Sequence, residues 1–325
     1  MLEVANLTKH FPVEKSFLDR LMTSKKSVVH AVDNISFSVN RGDILGLVGE
    51  SGSGKSTTAR LCLKLIQPTS GNILFEGIDL GKLRGEKLRT FRRNMQLIFQ
   101  DPTASLNPRI RVGDAVKDAL TFQGIGTLNE QFERTQAMLE RVGLKPWNNF
   151  YDRFPHQLSG GQRQRVVIAR AMVLNPRLVV ADEPIAMVDV SVRAQILSLM
   201  LELKKEFDLT YLFITHDLAM ANYFCNSIAI MYLGKIVEMG PKEKVFGSPL
   251  HPYTLALLSS IPIPDPTATM QRMIPKGEIP SPINPPRGCR FHPRCPYAQP
   301  ECSEQEPQLE EVRLNHRVAC FFPRR

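Results

Sequence analysis

The sequence predicts an α/β fold with a largely parallel sheet, followed by a small extension rich in proline and cysteine. Three observations carry this. Apolar runs of strand length alternate with helix-period patterns over roughly the first 240 residues. A glycine-rich loop stands between one such strand and one such helix. Sixteen of the 24 prolines lie from Pro241 onward, and four of the six cysteines from Cys289 onward, so the end of the chain is built differently from the rest.

The elements follow in order. Residues 44–48 (ILGLV) read as a buried strand. A helix starts near Lys55, with Ala59, Cys62, Leu63 and Ile66 on one apolar face, and Pro68 and Gly71 are expected to end it. Residues 95–99 and 178–181 read as further buried strands. Between Asp101 and Pro155 the pattern is more polar and mostly helical, as in a subdomain beside a sheet. Val192, Ile196, Leu199, Leu203 and Phe207 mark another amphipathic helix, and residues 211–215 the strand after it. From Pro241 onward proline is expected to break every helical pattern, and residues 261–286 read as an extended linker.

Composition sets the class. With 43% hydrophobic and 22% charged residues in 325, the chain can bury a core, which excludes a disordered or collagenous protein. The formal charge of +9 fits an anionic partner without naming one. The longest apolar runs, such as residues 227–233, fall far short of the ~20 residues that span a bilayer. The mixed N-terminus (MLEVANLTKHF) shows no basic-then-apolar leader, so a soluble cytosolic protein is expected.

The segment Gly49-Glu-Ser51-Gly52-Ser53-Gly54-Lys55-Ser56-Thr57 matches G-x-x-x-x-G-K-[ST]. Glycines let the backbone N–H groups curl around a phosphate, and the helix that follows turns its positive dipole end toward the anion. Lys55 is expected to reach the β/γ-phosphates and Ser56 to ligate Mg²⁺. Leu178-Val-Val-Ala-Asp182-Glu183 is an apolar strand that delivers two carboxylates at its C-terminal end, where ligands bind in open α/β sheets. Asp182 is expected to hold Mg²⁺ through water, and Glu183 to orient and polarise the attacking water. Leu158-Ser159-Gly160-Gly161-Gln162 opens another helix and is a second small-residue anion cradle. Two cradles for one triphosphate are most simply explained if the second completes a site on another copy.

With these motifs the chain, from about Leu2 to Gly247, resembles the ATP-binding cassette (ABC) ATPases. The resemblance implies a P-loop NTPase with a RecA-like core, an antiparallel β subdomain and a helical subdomain. Residues 1–100 and 172–247 would form the nucleotide-binding core, 101–171 the helical subdomain and 248–325 the extension. It also implies roles: Gln100 as the Q-loop glutamine contacting Mg²⁺, His216 as the switch histidine, Asp189 as the D-loop aspartate and Phe11 as the ring that stacks on adenine. The D-loop departs from the family's PTSALD, reading Pro184-Ile185-Ala186-Met187-Val188-Asp189. The mechanism implied is a head-to-tail sandwich, in which ATP on one subunit's P-loop is closed over by the other's signature.

In the tail, Cys289, Cys295, Cys302 and Cys320 are spaced C-x5-C-x6-C-x17-C. Four clustered thiols in a cytosolic chain point to metal rather than disulfides, and the spacing alone suits zinc or an iron–sulfur cluster equally. Arg287, Arg290, Arg294 and Arg317 are available to offset a cluster's negative charge. Cys62 and Cys225 read as small core residues. The stretch from Ser281 to Pro296, with His251-Pro-Tyr-Thr before it, resembles the C-terminal extension of oligopeptide/dipeptide importer ATPases, and Phe99-Gln-Asp-Pro-Thr-Ala-Ser-Leu-Asn-Pro-Arg109 resembles their "F" member. That resemblance implies a structural 4Fe-4S cluster on the four cysteines, with zinc as the alternative.

The expectation is therefore an ATP-hydrolysing subunit at the cytoplasmic face of the membrane that powers import of di- and oligopeptides. Its partners would be two transmembrane permease subunits, a second homologous ATPase subunit and, indirectly, an extracytoplasmic peptide-binding protein, with no nucleic acid. Asn107, Pro108 and Arg109 lie where the permease's coupling helices would touch. The competing reading is a soluble ABC ATPase acting on ribosomes or nucleic acid. Relatives of this type also move nickel, glutathione or sugar oligomers, since selectivity resides in the binding protein and permease.

Overall fold

The computed structural model describes residues 1–13, 27–260 and 273–324. The linker expected at residues 261–286 therefore lies partly outside the described residues, as does most of the segment after Phe11. The chain forms two compact units. Met1–Ser38, Leu45–Gly81 and Thr215–Arg325 make the first, and Val39–Ile44 with Lys82–Ile214 the second.

The first unit begins with strand β1 (Leu2–Pro12) and strand β2 (Val28–Val39). Strand β3 (Ile44–Val48) is buried at all five positions and leads into the glycine loop. Strands β4 (Ser70–Phe75) and β5 (Ile78–Asp79) complete an antiparallel sheet of order β2-β1-β4-β5. Its register sets Leu2 opposite Phe75 and Val4 opposite Ile73, so buried side chains meet across the strands while Glu3 faces water. The helix after the loop, Lys55–Cys62, stops short of the expected Pro68. Lys64 turns left-handed at φ 50, and its buried amine donates to the carbonyls of Leu80 and Gly81, bonds that a continuing helix would forfeit.

In the second unit, strands β6 (Met95–Ile98), β7 (Leu178–Asp182) and β8 (Thr210–Thr215) pair in parallel, Met95 opposite Leu178 and Leu178 opposite Thr210. Near-continuous burial of β7 and β8 explains their unalternated apolar sequences. The segment expected to be helical holds helices Pro102–Ser105, Val112–Gln123, Leu128–Arg141 and Asn148–Tyr151, followed by Gly160–Met172. Thr127 and Glu130 close a capping box at the start of Leu128–Arg141. Phe132, Trp147 and Tyr151 pack edge to face with centroids 5.2–5.9 Å apart.

The chain returns to the first unit with strands β9 (Ser227–Tyr232) and β10 (Lys235–Pro241). Strand β9 runs parallel to β3, Val48 opposite Ile230, and antiparallel to β10. Beyond Pro241 the proline reading fails. Helices Lys242–Gly247, Pro252–Ser259 and Pro300–Glu304 all form, two of them with proline in the first turn, where its missing N–H has no partner to lose. Two further strands form, β11 (Glu310–Arg313) and β12 (His316–Val318), and β12 pairs antiparallel with β10. The tail therefore continues the same run of strands as β9 and β10. Under this pairing, Glu238 and His316 are both fully buried and joined at 2.7 Å.

Candidate functional site

The first unit carries the phosphate loop. Gly52 and Gly54 hold φ of 77 and 106, conformations that L side chains rarely adopt. Close approach fixes Gly49 and Gly54 as well: an added Cβ would lie 2.1 Å from the carbonyl oxygen of Met231 at Gly49, and of Ala31 at Gly54. Ser51 and Gly52 are exposed, Ser53 is buried, and Ser56 and Thr57 are half-buried at the helix start. Lys55 is 5% exposed, and its amine donates to the carbonyls of Gly49 (2.8 Å) and Glu50 (2.9 Å), with Ser53 Oγ at 3.4 Å. The cation is thus folded against the loop that a triphosphate would fill.

Phe11 belongs to the same unit, 37% exposed, with the Lys9 amine 4.9 Å from its ring centre. Next to it, the His10 and His30 rings meet tilted at 48° with centroids 4.1 Å apart, and both imidazoles face Asp33. Asp33 also receives Arg290. Burial would raise its pKa, but Lys235, Arg290 and His30 together bring it down to about 2. Sequence reading missed this cluster because its members come from β1, β2 and the tail. His216 follows β8 and is exposed.

The second unit holds the carboxylate strand and the signature. Asp182 ends β7 with 8% exposure, and Glu183 follows at φ 47, a left-handed conformation unusual for glutamate. Gln100 Nε2 donates to Glu183 Oε2 at 2.9 Å, so this unit joins two residues 83 positions apart. At the signature, Ser159 caps helix Gly160–Met172: its Oγ accepts from the Gln162 N–H, and Gln162 Oε1 accepts from the Ser159 N–H. The Ser159 hydroxyl proton is not used in that pair and can be given to an anion. Gly160 is open on its free face, the nearest atom to an added Cβ being the Met187 carbonyl oxygen at 3.7 Å. A Cβ on Gly161 would lie 2.7 Å from Val192 Cγ1, so this glycine is required by packing on the helix Val190–Phe207. Asp189 begins that helix and is exposed, as is Met187; Ile185 and Val188 are buried. The unusual D-loop residues thus divide into two core anchors, a half-buried alanine and an exposed methionine.

The four tail cysteines line one small cavity together with Phe291, Phe321 and Phe322. Burial pushes three of these thiols up, Cys289 to about 12, Cys320 to about 11 and Cys295 in the same direction, with neighbouring cysteines adding to the rise. Three of the four arginines read as charge compensation form ion pairs with carboxylates. Arg290 pairs with Asp33, Arg294 with Glu50 and Arg317 with Glu311. Cys62 and Cys225 are buried single thiols, as expected.

Residues 32–186 match the family model of the ABC transporter, and residues 237–302 that of the oligopeptide/dipeptide transporter C-terminal region. The chain is 48% identical over 325 residues to the oligopeptide transport ATP-binding protein AppF of Bacillus subtilis, covering 99% of this chain and 97% of that protein. Among solved structures it resembles the ATP-binding cassette MJ0796 in a dimeric post-hydrolysis state bound to ADP and Pi, with TM-score 0.65, 28% identity, and 74% of this chain and 99% of that one covered. It also resembles cbiO1 of Clostridium perfringens, part of an ABC transporter complex, with TM-score 0.64, 27% identity, and 76% and 90% covered. The chain belongs to the ATP-binding proteins of the ABC transporter family, in the branch that carries the oligopeptide/dipeptide transporter C-terminal region.

Proposed function

We propose that this protein hydrolyses ATP to power import of di- and oligopeptides through a membrane permease. The observation that carries the chemistry is the Gln100–Glu183 hydrogen bond at the end of a buried strand, in a chain that also holds a complete phosphate loop. The loop N–H groups and Lys55 bind the phosphates. The Glu183 carboxylate accepts a proton from the attacking water as its oxygen bonds the γ-phosphorus and ADP leaves. Oxygen donors suit Mg²⁺, and Ser56, Asp182 and Gln100 are the residues that would hold it. When bound, Mg²⁺ supplies charge neutralisation on the phosphates. The Ser159 hydroxyl and the open face of Gly160 serve ATP held by a second, homologous subunit, so closure requires a dimer. Loss of the γ-phosphate then weakens that closure.

No helix among the described residues is long and apolar enough to cross a membrane, so the channel comes from permease subunits. We place the protein peripherally at the cytoplasmic face. The exposed residues Asn107, Pro108 and Arg109, with Phe99 at 42% exposure, form the surface that would meet the permease. An extracytoplasmic binding protein delivers the peptide. The core and helical parts expected at 1–100 with 172–247 and at 101–171, and the extension from 248, serve as the functional segments of this reading.

The four cysteines that line one small cavity are the donor set of a 4Fe-4S cluster, with zinc as the alternative.

The test is reconstitution with the two permeases, the partner ATPase and the binding protein. ATPase activity should rise when a loaded peptide-binding protein is added. Activity indifferent to permease and peptide, or co-purification with ribosomes, would overturn the reading.

A further inference from the structure

Glu50 is a carboxylate inside a loop that receives a triphosphate, which is electrostatically the wrong charge in that place. The structure shows what offsets it. Arg294 forks onto Glu50, Nη1 to Oε2 at 2.8 Å and Nη2 to Oε1 at 3.3 Å. The Glu50 N–H donates to the hydroxyl of Tyr253 at 2.9 Å. Its carbonyl accepts from Lys55 Nζ and from the Ser53 N–H. One residue of the loop is thereby held at side chain, amide and carbonyl, and the first two holds come from beyond residue 247.

The holding side chains are themselves fixed. Arg294 is 8% exposed and Tyr253 fully buried. Phe291 packs on Tyr232 at 5.3 Å and on Tyr253 at 5.4 Å, and Arg294 lies 5.8 Å from the Tyr232 ring centre. A second tie runs in parallel. Arg290 donates to the Leu233 carbonyl, and the next residue, Gly234, donates its N–H to the Ser53 carbonyl of the loop. Arg290 and Arg294 directly follow and precede two of the cavity cysteines, Cys289 and Cys295.

We infer that Arg294 is a positioning residue for ATP binding, which neutralises and orients Glu50 so that the cysteine-rich segment sets the nucleotide affinity of the phosphate loop. The inference rests on the ATPase reading above. Arg294 acts through Glu50, and the same fork explains why the loop tolerates a glutamate at all. An unpaired carboxylate there repels the phosphates, and repulsion grows with phosphate charge, so its loss is felt most by ATP and least by AMP.

The test measures binding of a fluorescent ATP analogue, with ADP and AMP as competitors, to the full-length chain. Arg294→Gln should weaken ATP binding by at least about tenfold, the lower edge of the coupling of a close charge pair, and AMP binding by far less. Adding Glu50→Gln to Arg294→Gln should recover most of the loss, because the stranded carboxylate is gone. A purely structural arginine would not be rescued by a change at Glu50. Tyr253→Phe keeps the ring packing and removes the acceptor of the Glu50 N–H, so it should weaken ATP binding a few-fold with an unchanged melting temperature. Should Arg294→Gln not fold, the double variant and Tyr253→Phe still decide the matter. Wild-type affinity in either single variant, or a double variant no better than Arg294→Gln, overturns the inference. A wild-type chain that binds no ATP would instead sink the ATPase reading itself.

Discussion

Gln100 Nε2 donates to Glu183 Oε2 at 2.9 Å, joining the end of one parallel strand to the end of its neighbour. The bond uses the amide N–H of Gln100 and leaves its amide oxygen available to a cation. Glu183→Gln should leave ATP binding intact and lower turnover by two orders of magnitude or more, within the range of a lost general base of about 10²–10⁴. Single-turnover hydrolysis of radiolabelled ATP, with size-exclusion chromatography for the closed dimer, checks it. Turnover at the wild-type rate would move the base elsewhere.

Lys55 is buried against two carbonyls of its own loop, so its charge is desolvated before nucleotide arrives. Lys55→Ala should abolish detectable nucleotide binding in equilibrium dialysis, while Gln100→Ala should reduce turnover and keep binding. Equal loss of binding in both would contradict this division of roles.

Gly161 is required by its neighbour rather than by its backbone. Gly161→Ala should cost about 1–3 kcal/mol of stability through the clash with Val192. Combining it with Val192→Ala should return part of that cost, read by thermal melts as non-additivity. Strict additivity would mean that the two side chains do not meet.

His251 is fully buried, and its Nδ1 accepts from the Tyr253 N–H, which requires the neutral ring. Burial lowers its pKa to about 4, although Glu238 pulls the other way. Between pH 6.5 and about 4 the unfolded chain binds the proton and the folded one does not, so stability falls as pH drops through that window. The expected loss is about 3 kcal/mol. Denaturation in urea at several pH values measures the slope. His251→Asn, which keeps an acceptor at the helix cap, should remove it. Asp33, held at about 2, adds a further loss only below its ordinary range, as pH falls from about 4 toward 2.

Protein purified without oxygen should carry iron and acid-labile sulfide in a ratio near one, with the visible absorbance of an iron–sulfur centre. Cys302→Ser should remove both. Stoichiometric zinc without iron would replace the cluster by the simpler ion.

The motifs were legible in the sequence because they are local. A phosphate loop, a capped signature and a strand ending in Asp182-Glu183 are contiguous, and each needs only its own residues to be recognised. The buried strands were legible for the same reason, since burial on both faces leaves an uninterrupted apolar run. What could not be read were the pairings between distant residues. Proline in the tail looked like a barrier to helices, yet Pro252 and Pro300 sit in first turns, where the missing N–H costs nothing. Glu50 and Arg294 are 244 positions apart, and only folding shows that one neutralises the other. The sequence by itself determined where the phosphate loop, the signature and the carboxylate strand lie. The tertiary structure alone decided how the tail meets that loop, because contact between charges separated along a chain depends on the path of the backbone, not on any local pattern.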